Sequence, residues 1–280
     1  MTIGIIGIED MAARLVQEVP GVVGVMLGGS RARGEHAPDS DWDLGVYYRG
    51  PLDVERLRGL AAEVVGGPVE VAGPGGWGPW VNGGAWLDVD GQAVDWILRD
   101  VDRVRTVWED CRAGRYEVGT QIGHPLGFWS PCYVGEVALG RVLADPGGEL
   151  GELRREVARC PERYPEPLRD ALTAGPVWEA GFLVANAAKS ARRGDVLHVS
   201  LCLARVVGLL VQALFAHHRR WCLNEKGALA AVAGMPDTPA GFVGRAGSLL
   251  GELGGGAGEL TARVARAGAL VDEVRAVVGG

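Results

Sequence analysis

Apolar positions follow two periods along this chain, and the balance between them changes near its middle. Glu9–Val19 carries apolar residues at helical spacing and stops at Pro20-Gly21. Val22–Leu27 is a short apolar run between turn residues, the pattern of a buried strand. Gly28-Gly29-Ser30 turns the chain, Arg31–Ser40 is polar with a turn at Pro38-Asp39-Ser40, and Asp41–Tyr48 alternates as a second strand. Val54–Val65 returns to helical spacing, and Gly73–Gly84 is a Gly, Trp and Pro loop. Asp90-Gly91 separates two apolar runs, and a type I′ turn needs positive φ at both central residues, so Ala85–Val89 and Gln92–Leu98 form a hairpin. Helices are expected at Val101–Ala113 and Tyr133–Leu143, followed by the break Asp145-Pro146-Gly147-Gly148.

Beyond that break the pattern is helical throughout: Glu149–Ala158, Pro165–Ala171, Val177–Arg193, Val196–His217, Glu225–Ala233, Pro239–Leu250 and Ala257–Val277. The expected architecture is an α/β (α+β) domain with a mixed sheet over residues 1–148, then an all-α helical bundle over residues 149–280.

Composition narrows the partners. The 280 residues are 48% apolar and 22% charged, as in a soluble globular protein, with a net charge of −7. Proteins that grip nucleic acid along its backbone usually present a basic surface, so a long nucleic acid is disfavoured. A tRNA end stays open, because Arg192-Arg193 and Arg219-Arg220 are local basic steps. Cys111, Cys132, Cys160, Cys202 and Cys222 form no CxxC pair, which reads as reduced thiols. The N-terminus lacks the basic flank and cleavage site of a signal peptide. The longest apolar stretch, Val196–Ala216, is interrupted by His198, Arg205 and Gln212, so no membrane span and a cytoplasmic location are expected.

The chemistry concentrates in Gly28-Gly29-Ser30, ten further residues, and Asp41-Trp42-Asp43. On a strand, residues i and i+2 face the same way, about 6.6 Å apart. Asp41 and Asp43 are therefore expected to point together, with Trp42 outward. Two like charges on one face repel unless a cation lies between them, and magnesium accepts carboxylate and phosphate oxygens. A strand ending in Gly-Gly-Ser lets backbone N–H groups approach an anion closely, with the Ser30 hydroxyl as a further donor.

The run Leu27-Gly28-Gly29-Ser30-Arg31-Ala32-Arg33-Gly34 with Ser40-Asp41-Trp42-Asp43-Leu44 resembles the signature of the nucleotidyltransferase superfamily that includes DNA polymerase beta. It is more narrowly similar to the small bacterial aminoglycoside and lincosamide nucleotidyltransferases and the minimal nucleotidyltransferases of toxin–antitoxin pairs. The resemblance implies an N-terminal nucleotidyltransferase domain and transfer of an NMP group from an NTP, expected to be ATP. It implies two Mg2+ ions and, as acceptor, a hydroxylated small molecule such as an antibiotic. A protein or tRNA end as acceptor, or a non-catalytic nucleotide sensor, remain open alternatives, as does monomer against homodimer.

The resemblance also implies a third carboxylate from a neighbouring strand. Asp95, within Ala93-Val94-Asp95-Trp96-Ile97, matches it. Asp88 and Asp90 are nearby rivals, Asp90 being accounted for by the turn and Asp88 lacking the apolar context. Asp41, Asp43 and Asp95 are then the expected metal-binding and catalytic residues. Gly28, Gly29, Ser30 and Arg33 or Arg31 are expected on the triphosphate.

The relatives often build the acceptor site and further phosphate contacts from a helical C-terminal domain. Lys189 and Lys226 are the candidates for nucleotide contacts there. Glu179 and Asn186 share an arc with Lys189, and His198, Arg205 and Gln212 form one helical stripe. Glu117 and Glu136 are candidate general bases. His124 reads as a loop histidine, His217-His218 as a helix C-terminus, and the Trp77/Trp80 loop as either a stacking surface or part of the core.

Overall fold

A computed structural model describes residues 7–158, 164–251 and 254–279, and these fall into two compact units. The first comprises the described residues up to 110 with 116–158; the second comprises residues 111–115 and those from 164 onward. Cys160 and residues 252–253 of the glycine-rich GELGGGAGEL turn lie outside the described residues.

In the first unit, α1 (Ile8–Glu18) leads into β1 (Val22–Leu27), α2 (Gly29–Arg33), β2 (Trp42–Tyr48) and α3 (Val54–Val65). The hairpin β3 (Gly84–Val89) and β4 (Gln92–Asp100) follows, then α4 (Val101–Arg112). A second hairpin, β5 (Val118–Gln121) and β6 (His124–Trp129), precedes α5 (Cys132–Leu139), β7 (Arg141–Ala144) and α6 (Glu149–Val157). The main sheet has the order β3-β4-β2-β1-β7. Strands β2 and β4 run parallel and the other neighbours antiparallel, so the sheet is mixed. Parallel neighbours need a long crossover, supplied here by α3, the tryptophan loop and β3.

Strand alternation decides which residues reach the core. Leu44, Val46 and Tyr48 of β2, Val94, Trp96 and Leu98 of β4, and Val25 and Leu27 of β1 pack with Met11 and Leu15 of α1 and Leu57 and Leu60 of α3. Each such apolar side chain contributes about 1.5–3 kcal/mol on burial. The intervening residues, Asp43, Gly45 and Tyr47 on β2 and Asp95, Ile97 and Arg99 on β4, therefore share the opposite face. On that face Leu150 of α6 lies over Gly24, where a Cβ would press on its side chain.

Several elements depart from the sequence pattern. The run Tyr133–Leu143 is not one helix: it stops at Leu139, and Arg141–Ala144 pairs with β1 as an edge strand. A Cβ at Gly140 would meet the Glu136 carbonyl at 2.7 Å, and the free edge of β1 offers the backbone partners that a longer helix would have supplied internally. Gly29–Arg33 winds into a short helix after the turn at Gly28. His124 opens strand β6 and is not in a loop.

The second unit is helical: α7 (Glu166–Ala191), α8 (Val196–His217), α9 (Ala228–Val232), α10 (Phe242–Leu250) and α11 (Ala257–Gly279). Pro165–Ala171 and Val177–Arg193 are one continuous helix with Pro176 inside it. An interior proline costs about 3 kcal/mol, and burial of Leu168, Leu172, Val177 and Ala180 on α7 outweighs it. The turns before α9 and α10 extend further than expected, because Asn224 Oδ1 accepts the Lys226 N–H in an Asx turn and Gly241 caps α10 in the left-handed region. Helix α8 is, by length and composition, apolar enough to cross a membrane; 67% of that stretch is buried within the protein, as in the core helix of a bundle.

Candidate active site

Leu27 is the last paired residue of β1, opposite Leu44, and the Gly28 N–H then donates to the Asp43 carbonyl at 2.7 Å. The chain turns at Gly29, whose φ is +62°. A Cβ there would fall inside the Asp43 carboxylate, which lies directly over the turn. Glycine is thus required twice, for its positive φ and for the close approach of the carboxylate. Gly28 and Ser30, which flank it, are both half-buried.

Asp43 and Asp95 face each other in register across the parallel pair β2–β4. Both are half-buried and on the same face of the sheet, on strands about 4.8 Å apart. Asp41 lies just before β2 and is exposed. Among the described residues, no three His, Cys, Asp or Glu side chains already form a group that could hold a metal ion. Of the rivals to Asp95, Asp88 accepts the Gly91 N–H at 2.8 Å and Asp90 takes a φ of +54°, so both serve the hairpin turn.

Trp42 does not point outward. It packs against the core, with its Nε1 donating to Gln92 Oε1 at 3.2 Å and the Arg31 guanidinium 4.2 Å above its ring. Arg31 also donates to the carbonyls of Ser40, at 2.6 and 3.0 Å, and of Asp41, at 3.2 Å. Its role is to hold the loop that delivers Asp41 to the strand. Arg33 is exposed and paired with Glu35 at 2.8 Å.

Beside Asp95 stands Trp86, its antiparallel partner on β3. Trp77 stacks on Trp86, with ring centroids 4.2 Å apart and planes 14° from parallel. Trp80, on the same loop, packs instead on Phe128 and under the Arg103 guanidinium. Gln121 of β5 pins the loop: its Oε1 accepts the N–H groups of Trp80 and Val81, and its Nε2 donates to the Trp77 carbonyl at 2.6 Å. Sequence reasoning passed over Trp86 and Gln121. The signal for Trp86 was present: a two-residue turn at Asp90-Gly91 pairs Val89 with Gln92, and counting back along both strands sets Trp86 opposite Asp95.

Glu136 is committed elsewhere. Its carboxylate takes two bonds, at 2.6 and 2.8 Å, from the guanidinium of Arg99, which is only 3% exposed. Burial opposes the Arg99 charge, but the Glu136 carboxylate outweighs it and raises the guanidinium's pKa. As a general base Glu136 would leave that cation uncompensated, so it is a structural residue. Glu117 is exposed.

In the second unit, Lys189 is exposed near the end of α7, and Lys226 is exposed in the turn before α9. Glu179 and Arg205 pair across α7 and α8 at 2.9 Å, so neither is spare. His198 is exposed beside Cys202, 3.7 Å away, while Asn186 and Gln212 are half-buried. His217 ends α8 and His218 caps it, and burial holds both imidazoles below the usual histidine pKa.

Residues 8–71 match the family model of a nucleotidyltransferase domain, and residues 132–226 match that of a domain of unknown function, DUF4037. Among solved structures, the chain is similar to a nucleotidyltransferase-like protein from Exiguobacterium sibiricum 255-15, at 13% identity and a TM-score of 0.43, over 98% of this chain and 75% of that one. No curated protein matches the chain.

Proposed function

We propose that the chain, whose residues 8–71 match the family model of a nucleotidyltransferase domain, moves an NMP group, from ATP in the first instance, to a hydroxyl of a small molecule such as an antibiotic. The observation that carries this reading is the facing pair Asp43 and Asp95 beside the Gly29 turn. An oxygen of the acceptor forms a bond to the α-phosphorus, the bridging bond between the α- and β-phosphorus groups breaks, and pyrophosphate leaves. The acceptor proton passes to a carboxylate on this face, and in this reading Asp95 would take it.

The donor set fits magnesium, which is commonly held by one or two carboxylates together with substrate phosphates and so needs no preassembled cage of three. Asp43 and Asp95 would hold it, with Asp41 joining from the start of β2. When bound, a magnesium pair supplies charge neutralisation for the triphosphate and activation of the acceptor hydroxyl. In this reading the turn at Gly28, Gly29 and Ser30 supports the terminal phosphates, while Lys189 and Lys226 are candidates for further phosphate contacts.

The test is incubation of the full chain with each α-labelled NTP and magnesium, against aminoglycosides, lincosamides, total tRNA and lysate protein. Label on a small molecule that disappears with Asp43→Asn supports the reading. Label on tRNA or protein moves the acceptor to a macromolecule. No transfer, together with no calorimetric binding of any magnesium–NTP, overturns it.

A further inference from the structure

We propose that Trp86, backed by Trp77, is the acceptor-side specificity surface of this site: a stacking platform for a flat, neutral or cationic ring carried by a small-molecule acceptor. The proposal rests on the nucleotidyltransferase reading and deepens it.

The sheet order places the groups in sequence. The Gly28–Ser30 turn follows β1, Asp43 is on β2, Asp95 on β4 and Trp86 on β3 at the edge. At about 4.8 Å per strand, Trp86 lies roughly 10 Å from Asp43, on the side away from the turn. A triphosphate held at the turn leaves the region beyond Asp95 to the acceptor. Directly opposed antiparallel residues have Cβ atoms about 5 Å apart, so the Trp86 ring borders the carboxylate closest to the acceptor.

Trp86 is 68% exposed, although it sits within a strand and has the largest side chain available for burial. Trp77 stacks on one of its faces, and most of the remaining side-chain surface stays exposed. Trp77 in turn rests over Gly84, where a Cβ would come within 2.9 Å of its ring. The loop behind it is fastened by Gln121, 6% exposed, and by Asn82, which accepts the Gly75 N–H and donates to the Tyr48 hydroxyl at 2.6 Å. Preorganisation of this kind reduces the entropy lost when a ring docks. The ring type follows from charge: Asp88 and Asp95 flank Trp86 on its own face, which disfavours anions, and an indole face attracts cations.

The test is calorimetry on the full chain with N-methylquinolinium, a flat cation, and separately with the non-hydrolysable α,β-methylene ATP and magnesium. Wild type is expected to bind N-methylquinolinium, Trp86→Ala at least tenfold more weakly, and Trp86→Phe within threefold of wild type. Trp77→Ala is expected to weaken it several-fold. Nucleotide affinity should be equal in all four, and unchanged thermal unfolding of Trp86→Ala shows that the fold is intact. The proposal is overturned if wild type does not bind the dye, if Trp86→Ala binds it equally, or if choline binds as tightly, which would leave charge alone. It is also overturned if Trp86→Ala loses nucleotide affinity, which makes the platform a base site, or if tRNA is the ligand that Trp86 controls. Failure of wild type to bind the nucleotide sinks the transferase reading separately, and leaves the dye result readable on its own.

Discussion

The Asp43 carboxylate occupies the space above Gly29 that any other residue's Cβ would fill. This one contact couples the turn after β1 to the acidic face of the sheet, so neither can change without the other. Gly29→Ala meets both the carboxylate and a φ of +62°, whereas Gly34→Ala has a φ of +72° and nothing within 4 Å. We expect Gly34→Ala to cost only the left-handed strain of about 1–2 kcal/mol. Gly29→Ala should cost that strain and also weaken magnesium–ATP binding at least tenfold, as read by urea unfolding and calorimetry. Equal nucleotide affinity in the two variants would show that the contact has no functional weight.

Asp43→Asn and Asp95→Asn are each expected to lower transfer by a factor of a thousand or more, with secondary structure unchanged by circular dichroism. Asp88→Asn should keep activity within a few-fold, because Asp88 serves the hairpin turn. Inactivation by the Asp88 change with activity retained by the Asp95 change would reverse the assignment of the third carboxylate.

Arg99 and Glu136 form a pair whose guanidinium is almost fully buried. Removing one partner of a buried pair leaves an uncompensated charge, at about 3–5 kcal/mol. Glu136→Gln is therefore expected to destabilise the first unit by about 3 kcal/mol in urea unfolding. A stable but inactive variant would instead restore Glu136 as a candidate base.

The histidine pair at the end of α8 gives a pH dependence of definite sign. Burial, first among the causes, and neighbouring positive charge, from Arg169 and Arg219 for His217 and from His217 and Arg220 for His218, hold both below the ordinary value of 6.5. The Asp237 carboxylate acts on both imidazoles in the opposite direction. The unfolded chain therefore takes up protons before the folded one as pH falls through 6.5, and stability drops on acidification from there. Above pH 7 both states are neutral at these groups and the curve is flat. Thermal unfolding between pH 7.5 and 5 should show this loss, and His218→Gln should reduce it. This window lies above the titration of the paired carboxylates Glu18, Glu63, Glu149 and Glu166, whose arginine partners lower their pKa values.

Local pattern alone determined β1, α3, α8 and the Asp90-Gly91 hairpin, since each is set by side-chain period and turn chemistry within a short window. It also separated the mixed-sheet half from the helical half and singled out the Gly-Gly-Ser and Asp-Trp-Asp residues. Tertiary structure decided what depends on distant partners. It made Arg141–Ala144 a strand, because only the edge of β1 offered its backbone a ladder. It kept α7 continuous through Pro176, because burial along the helix outweighs one lost hydrogen bond. It placed Asp95 opposite Asp43, committed Glu136 to Arg99 and fastened the tryptophan loop to Gln121. Such pairings join residues 37 to 52 positions apart in the chain, so no local period encodes them, and only packing of the whole unit selects one register from the many that the strands could take.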